Sequence, residues 1–222
     1  MKLFSRIIAS TGIVFTAFTI PVLAGGEGLV DEEKSGIYFS FGAGISSLLD
    51  VGADDVSDIY IRTTKNYDDN LPVYSVAIGY DFGRFRTEFN YQKDSFEANN
   101  YMYRPSSFQE LSINEDLHLS TISANIFYDF NNKSKLTPYV GTGIGSTKVE
   151  RMNGNIRGIP QPNHDDTKTS LTLKLGISYE MTKSSDVFLE TTYLRVYDIK
   201  LGLANLDDIE SYAVQVGMRF SL

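Results

Sequence analysis

The amino-acid sequence predicts an all-β fold, an eight-stranded antiparallel up-and-down transmembrane β-barrel. Three observations carry the prediction. Eight stretches after Lys34 alternate large apolar residues with small or polar ones at a period of two, the mark of strands with two unlike faces. The connections between them are alternately short and long, which gives an even number of strands tight turns at one end and extended loops at the other. Finally, 14 Tyr, 14 Phe and 18 Gly stand against only 6 Pro among 222 residues, a composition suited to sheet rather than to disorder.

The same composition excludes several function classes. Without cysteine there is no disulfide framework, thiolate metal centre or cysteine nucleophile. With only His118 and His164, a three-histidine metal site is also excluded. Twenty basic against 28 acidic residues leave a net charge of −8, the wrong sign for a nucleic-acid partner. No cofactor and no metal site are expected.

Residues 1–24 read as a cleavable signal peptide. Lys2 and Arg6 make a basic start, Ile7–Leu23 is apolar, and Val22-Leu23-Ala24 before Gly25-Gly26 is a small-residue processing site. Pro21 and that site speak against an uncleaved membrane anchor. Loss of Lys2 and Arg6 takes the net charge from −8 to −10. Residues 25–35 are then a short periplasmic segment ahead of a barrel over 36–222.

The strands follow in order. Gly36–Ile45 sets Ile37, Phe39, Phe41, Ala43 and Ile45 against Tyr38, Ser40, Gly42 and Gly44. Val73–Phe82 sets Tyr74, Val76, Ile78, Tyr80 and Phe82 against Ser75, Ala77, Gly79 and Asp81. Arg84–Gln92 opposes Phe85, Thr87, Phe89 and Tyr91 to Arg84, Arg86, Glu88, Asn90 and Gln92. Leu117–Phe130 ends with Ile122, Ala124, Ile126, Tyr128 and Phe130 opposite Ser123, Asn125, Phe127 and Asp129. Leu136–Val149 places Val140 and Ile144 opposite Gly141, Gly143 and Gly145. Leu171–Met181 is the most regular, with Leu171, Leu173, Leu175, Ile177, Tyr179 and Met181 facing Thr172, Lys174, Gly176, Ser178 and Glu180. Asp186–Tyr197 alternates less well: Val187, Leu189 and Tyr193 oppose Glu190 and Thr192, and Arg195 falls out of register. Ile209–Leu222 closes the set, Tyr212, Val214, Val216, Met218, Phe220 and Leu222 opposing Ser211, Ala213, Gln215, Gly217 and Arg219.

Short turns are expected at Gly83, at 131–135 and at 182–185, and long polar loops at 46–71, 93–116, 150–168 and 199–208. A strand of roughly 9–11 residues crosses a bilayer when tilted, and closure leaves no unpaired edge in hydrocarbon. A soluble lipocalin-like barrel alternates too, with its apolar face inside. The second face decides against it: eight glycines, with Ser and Ala between them, suit a cramped lumen and would weaken a water-facing strand. Tyr80, Phe82, Phe85, Tyr128, Phe130, Tyr179 and Phe220 gather near the short-turn ends of the apolar face, as a membrane-interface girdle does. The inward face is expected to hold a polar network of Asp81, Arg84, Arg86, Glu88, Asn125, Asp129, Lys174, Glu180, Glu190, Gln215 and Arg219. Four bases against five acids favour a cross-linked plug over an ion path, because buried charges must pair and eight strands leave a lumen that side chains fill.

Particular residues carry a family resemblance. Phe127-Tyr128-Asp129-Phe130, a short turn, and Thr137-Pro138-Tyr139-Val140-Gly141-Thr142-Gly143-Ile144-Gly145 resemble the central hairpin of small bacterial outer-membrane barrels. These are the opacity-type, surface-antigen and outer-membrane-protein-A-like transmembrane domains. Ile78–Glu88 is similar to the hairpin of their second and third strands, and Val216–Leu222 resembles their terminal strand. The last ends in Leu222, with Phe220 two places earlier, where the family has a terminal phenylalanine. The resemblance implies the bacterial outer membrane, its lipid and the barrel-insertion machinery as surroundings. It also implies function through loops, and a chain ending at its eighth strand is expected to lack the peptidoglycan-binding domain of larger relatives.

The loops are acidic. Residues 46–71 carry six Asp against Arg62 and Lys65, and residues 93–116 carry five acids against Lys93 and Arg104, whereas 150–168 balance at three and three. With Tyr60, Tyr67, Tyr101, Tyr103 and Phe108 they are candidate contacts for a host surface or matrix protein. The acids of Asp50–Asp58 miss the alternate positions of a calcium loop. His164 beside Asp165 and Asp166 lacks an identifiable nucleophile, so a membrane-embedded hydrolase or acyltransferase ranks last. The leading expectation is a structural surface antigen or adhesin rather than an enzyme, with a narrow channel or small-molecule conduit as the alternative.

Overall fold

The computed structural model describes residues 35–49, 51–54, 62–67, 71–103, 109–130, 134–156, 159–160, 163–197, 200–201, 204–206 and 208–222. The expected signal peptide and all but the last residue of the segment after it lie outside these. Among the described residues every long element is a strand. The eight are β1 (Ser35–Leu48), β2 (Leu71–Phe82), β3 (Phe85–Tyr103), β4 (Gln109–Asp129), β5 (Leu136–Ile156), β6 (His164–Thr182), β7 (Ser185–Val196) and β8 (Ile209–Ser221). Each pairs antiparallel with its neighbours in sequence, and β8 returns to pair with β1, so the wall closes on itself without an edge.

The register fixes the barrel's size. From Tyr38 the cross-strand partners run through Gly79, Glu88, Asn125, Gly143, Thr172, Leu194 and Ser211 back to Leu48. Leu48 lies ten residues beyond the start on the same strand, which is the stagger of the barrel. Eight strands at that stagger tilt by roughly 35–45° and enclose a lumen just wide enough for side chains to fill.

Local chemistry sets the turns. Gly83 takes a left-handed φ of 96°, open to glycine at little cost, and its N–H donates to Asp81 Oδ1 at 2.7 Å. After Thr182, whose Oγ1 accepts from Ser184 N at 3.2 Å, the chain reverses into β7.

The long loops depart from expectation. β3, β4, β5 and β6 run to 19, 21, 21 and 19 residues, against 12–14 for the other four. Most of the segments expected as loops at 93–116 and 150–168 therefore continue the β3–β4 and β5–β6 hairpins outward. Within 46–71, Val51–Asp54 pairs with Arg62–Tyr67, which lies against the outer end of β3, and Ala204–Leu206 adds to Val51–Asp54. These segments read as loops because the contrast between the faces reverses there. Inward residues turn apolar (Phe96, Leu117, Leu119, Val149, Leu194, Val196, Ile209) while the outer face turns polar (Lys93, Ser95, His118, Ser120). Arg195 is the same effect: it faces outward above the apolar wall, and its neighbours Leu194 and Val196 point in.

Candidate functional site

The interior is built in three layers, beginning at the short-turn end. Four rings from four strands each lie over a glycine directly across the ladder: Tyr38 on Gly79, Phe127 on Gly141, Tyr139 on Gly176 and Phe188 on Gly217. A Cβ at any of these glycines would come within 2.2–2.4 Å of a ring atom, so the glycines make room for rings rather than for bends. Two guanidiniums sit among the rings. Arg86 lies 4.6 Å from the Phe127 centroid and 4.9 Å from that of Tyr139, and Arg219 lies 5.2 Å from that of Tyr38. Arg86 holds Asp129 through two bonds, Nε to Oδ2 at 2.6 Å and a terminal nitrogen to Oδ1 at 2.9 Å, while Arg219 faces Asp186 at 3.7 Å.

Next outward is a mixed layer of charges and amides. Lys174 Nζ donates to Glu190 Oε1 at 2.8 Å, and the other Glu190 oxygen accepts from Tyr139 Oη at 3.0 Å. Tyr38 Oη donates to Glu88 at 3.2 Å. A chain of neutral side chains ending at a carboxyl group follows: Ser75 Oγ to Gln215 Oε1 at 2.6 Å, Gln215 Nε2 to Gln92 Oε1 at 3.2 Å, and Gln92 Nε2 to Asp94 Oδ2 at 3.0 Å. The third layer is apolar. Leu48, Phe96, Leu117, Leu119, Val149, Leu194, Val196 and Ile209 form one buried cluster, with Leu71 against it, across the outer mouth.

Outside, the distribution is inverted. Phe41, Val76, Phe89, Leu175 and Val216 stand exposed around the middle of the wall. Of the rings expected at the short-turn end, Tyr80, Phe82, Phe85, Phe130, Tyr179 and Phe220 are exposed, and Tyr128 packs against Phe85 and Phe130. A second aromatic row at the other border, Tyr74, Tyr91, Tyr193 and Tyr212, went unread in the sequence, although all four lie on the apolar parity. Above it the wall carries charges. Lys148 donates to Glu150 at 2.6 Å, a bond that raises its ammonium pKa with help from Asp165, and Arg195 pairs with Asp208 at 2.7 Å. His118 also faces outward, its Nδ1 3.0 Å from Ser95 Oγ.

Of the eleven residues expected inside, ten lie on inward-facing positions, Glu180 and Asp81 being only half-buried near the turns. Arg84 does not join them. The tight turn takes up Gly83 and Arg84, β3 starts at Phe85, and Arg84 is exposed. Asp94 and Asp186 face inward too, outside the set that strand parity predicts. Asp186 was obscured by a register irregularity at Ser185/Asp186, and Asp94 by its place in an acidic stretch taken for loop. Tyr60 and Phe108 lie outside the described residues. Tyr67, Tyr101 and Tyr103 fall on strands, with only their backbone described, and the same holds for His164.

A filled polar interior inside an apolar outer wall is a soluble protein turned inside out, stable only where the surroundings are lipid. Residues 11–220 match the family described as Outer membrane protein beta-barrel domain. The chain belongs to that family. This outer-membrane barrel is 28% identical over 161 residues to an uncharacterised protein of Brucella abortus (strain 2308), a match that takes in 61% of the chain and 57% of that protein. The chain thus spans less than two thirds of the curated relatives it matches. Among solved structures, the barrel is similar to OprG of Pseudomonas aeruginosa (16% identity, TM-score 0.57, 86% of this chain and 98% of that one). It is also similar to the Neisserial surface protein A (18% identity, TM-score 0.52, 85% and 98%). At such identities these likenesses concern the fold alone. The barrel resides in the bacterial outer membrane.

Proposed function

We propose that this outer-membrane barrel is a non-conducting surface protein, a structural antigen or adhesin that acts through the rim built on β3–β6 and the connections around it. One observation carries the reading: buried ring-and-guanidinium, charge-and-amide and apolar layers succeed one another along the lumen, and the pairs Arg86–Asp129 and Lys174–Glu190 bond across it. Moving an ion along the axis would require breaking buried pairs and then crossing an apolar cap, each step costing several kcal/mol. The barrel is then a rigid mount, and binding falls to the rim.

The short turns face the periplasm in this reading. The lower aromatic row and the upper tyrosine row mark the two membrane borders, and the leader directs export. The net acidity of 46–71 and 93–116 suits a cationic face on a host surface or matrix protein. The barrel-insertion machinery is the expected partner during biogenesis, through β8. Two measurements test the reading together. Reconstituted barrel should show no single-channel conductance, and cells displaying it should bind basic matrix protein in a way that deletion of residues 50–69 abolishes. Steady unitary conductance that survives Arg86→Ala unchanged, or binding indifferent to the deletion, would refute it.

A further inference from the structure

Among the described residues Asp94 is the one wholly buried carboxylate of the outer half of the lumen, and its hydrogen bonds come from the neutral side chains of Gln92 and Ser46. On β3 it lies between Gln92, the last of the amide chain, and Phe96 of the cap. Its cross-strand partners are Val73 and Leu119, both apolar and buried. Both Asp94 oxygens accept from Gln92 Nε2, at 3.2 and 3.0 Å. The neighbouring cations are engaged elsewhere. On β6, Lys174 holds Glu190 and Lys168 faces Asp166 at 3.5 Å. On β1, β2 and β8 the inward positions at and around this level carry no charge: Ser46, Val73, Ser75, Ser211, Ala213 and Gln215. Neither do those of β4, with Leu117, Leu119 and Thr121; on β5, above Thr147 and Val149, Arg151 stands further out. Glu190 on β7 is already doubly bonded, and Thr192, Leu194 and Val196 above it are neutral.

We propose that Asp94 is a buried proton-binding site that sets how firmly the apolar cap closes the outer mouth. With the proton bound, Phe96 and Leu119 pack over a neutral acid. With the proton released to solvent, they pack over an anion that no cation touches, and the cap loosens. The inference rests on register and burial, independently of what the rim binds.

Asp94 stands clear of the membrane-spanning part of β3, since its chain neighbours Lys93 and Ser95 lie beyond Tyr91 on the outer face. Burial pushes its carboxyl from 3.8 up to about 6, against the lowering effect of bonds from Gln92 and Ser46 and of the Lys174 charge. The sign follows from linkage. A carboxyl raised in the folded state stabilises the fold below its unfolded value, and that stability is lost as pH rises through the folded value. Between about pH 5 and pH 8 the unfolding equilibrium constant of the barrel should therefore rise on the order of tenfold from this group alone.

The test is denaturant unfolding of the refolded full-length mature chain in lipid vesicles across that range, for wild type and Asp94→Asn, with infrared spectra of both. Asp94→Asn keeps both histidines and every other acid, so their contribution to the pH profile remains. The expected result is that the tenfold step disappears in Asp94→Asn, that this variant exceeds wild type in stability at the alkaline end, and that it lacks a protonated-carboxyl carbonyl band seen in wild type at the acid end. A profile unchanged by the substitution, or a protonated-carboxyl band equal in the two proteins, would overturn the proposal. So would failure of both Asp94→Asn and Asp94→Leu to fold at any pH, because a neutral residue is what the cap is proposed to prefer.

Discussion

Replacing Arg86 by Met asks what holds the interior together. The guanidinium is 1% exposed, grips Asp129 by two bonds of 2.6 and 2.9 Å, and lies against the faces of Phe127 and Tyr139. Met fills much of the stem's volume but leaves the Asp129 carboxylate, 8% exposed, without its partner. Breaking a buried pair from one side costs about 3–5 kcal/mol. Asp129 lies at the turn end of β4, where a little water reaches, so the lower end of that range, about 3 kcal/mol, is expected. That is roughly two decades in the unfolding constant. Removing both charges in Arg86→Met/Asp129→Leu takes away the desolvation cost as well, and should return the barrel to within about 1 kcal/mol of wild type. Asp129→Leu alone strands the buried guanidinium and should cost at least about 3 kcal/mol, so the two single costs together would exceed that of the double variant by about 5 kcal/mol. The chain has no tryptophan, so the assay is far-ultraviolet circular dichroism during urea unfolding in vesicles, checked by the mobility of unheated samples on denaturing gels. A single variant within about 1 kcal/mol of wild type, or additive effects, would mean that the ion pair does not brace the lumen.

Two further substitutions test the wall. Gly176→Val should prevent folding, because even its Cβ would lie 2.3 Å from the Tyr139 ring, whereas Gly36→Ala, whose Cβ meets only Leu222 O at 3.4 Å, should leave the heat-modifiable band intact. Leu175→Arg, midway along the exposed apolar band, should cost about 2–4 kcal/mol in vesicle unfolding, while Ser146→Arg, exposed above the upper tyrosine row, should cost about 1 kcal/mol or less; equal costs would place the membrane elsewhere on the wall.

Parity carried most of the fold. All eight strands are where alternation put them, since inside the apolar band each outward residue meets lipid and each inward one meets a full lumen, and only a period of two meets both demands. What was lost in reading lies where that contrast fails. The outer halves of β3–β6 looked like loop because Lys93, Ser95, Ser120 and His118 present polar groups outward while Phe96, Leu117 and Leu119 turn in. Alternation alone carries Arg84 inward, one residue too far into the turn that Gly83 begins. The glycines were recognised as a sign of crowding, but which ring each accommodates depends on cross-strand register, which a single sequence does not carry.

The reversal of faces along β3–β6 marks a change in the force that holds the strands. Inside the bilayer the hydrophobic effect does not favour an apolar lumen, since the outer face already has hydrocarbon. Closure of the backbone ladder and pairing of interior charges must hold the barrel there, which is why Arg86, Lys174 and Arg219 all have carboxylate partners. With the upper tyrosine row as the proposed membrane border, the wall beyond Tyr91 meets water again, and burying Phe96, Leu117, Leu119 and Val149 inward becomes favourable at about 1.5–3 kcal/mol per large side chain. A strand that continues past the membrane therefore needs a polar code for its first half and an apolar one for its second, on the same face. Asp94 sits where the two codes meet, and at that point a proton can replace the missing cation.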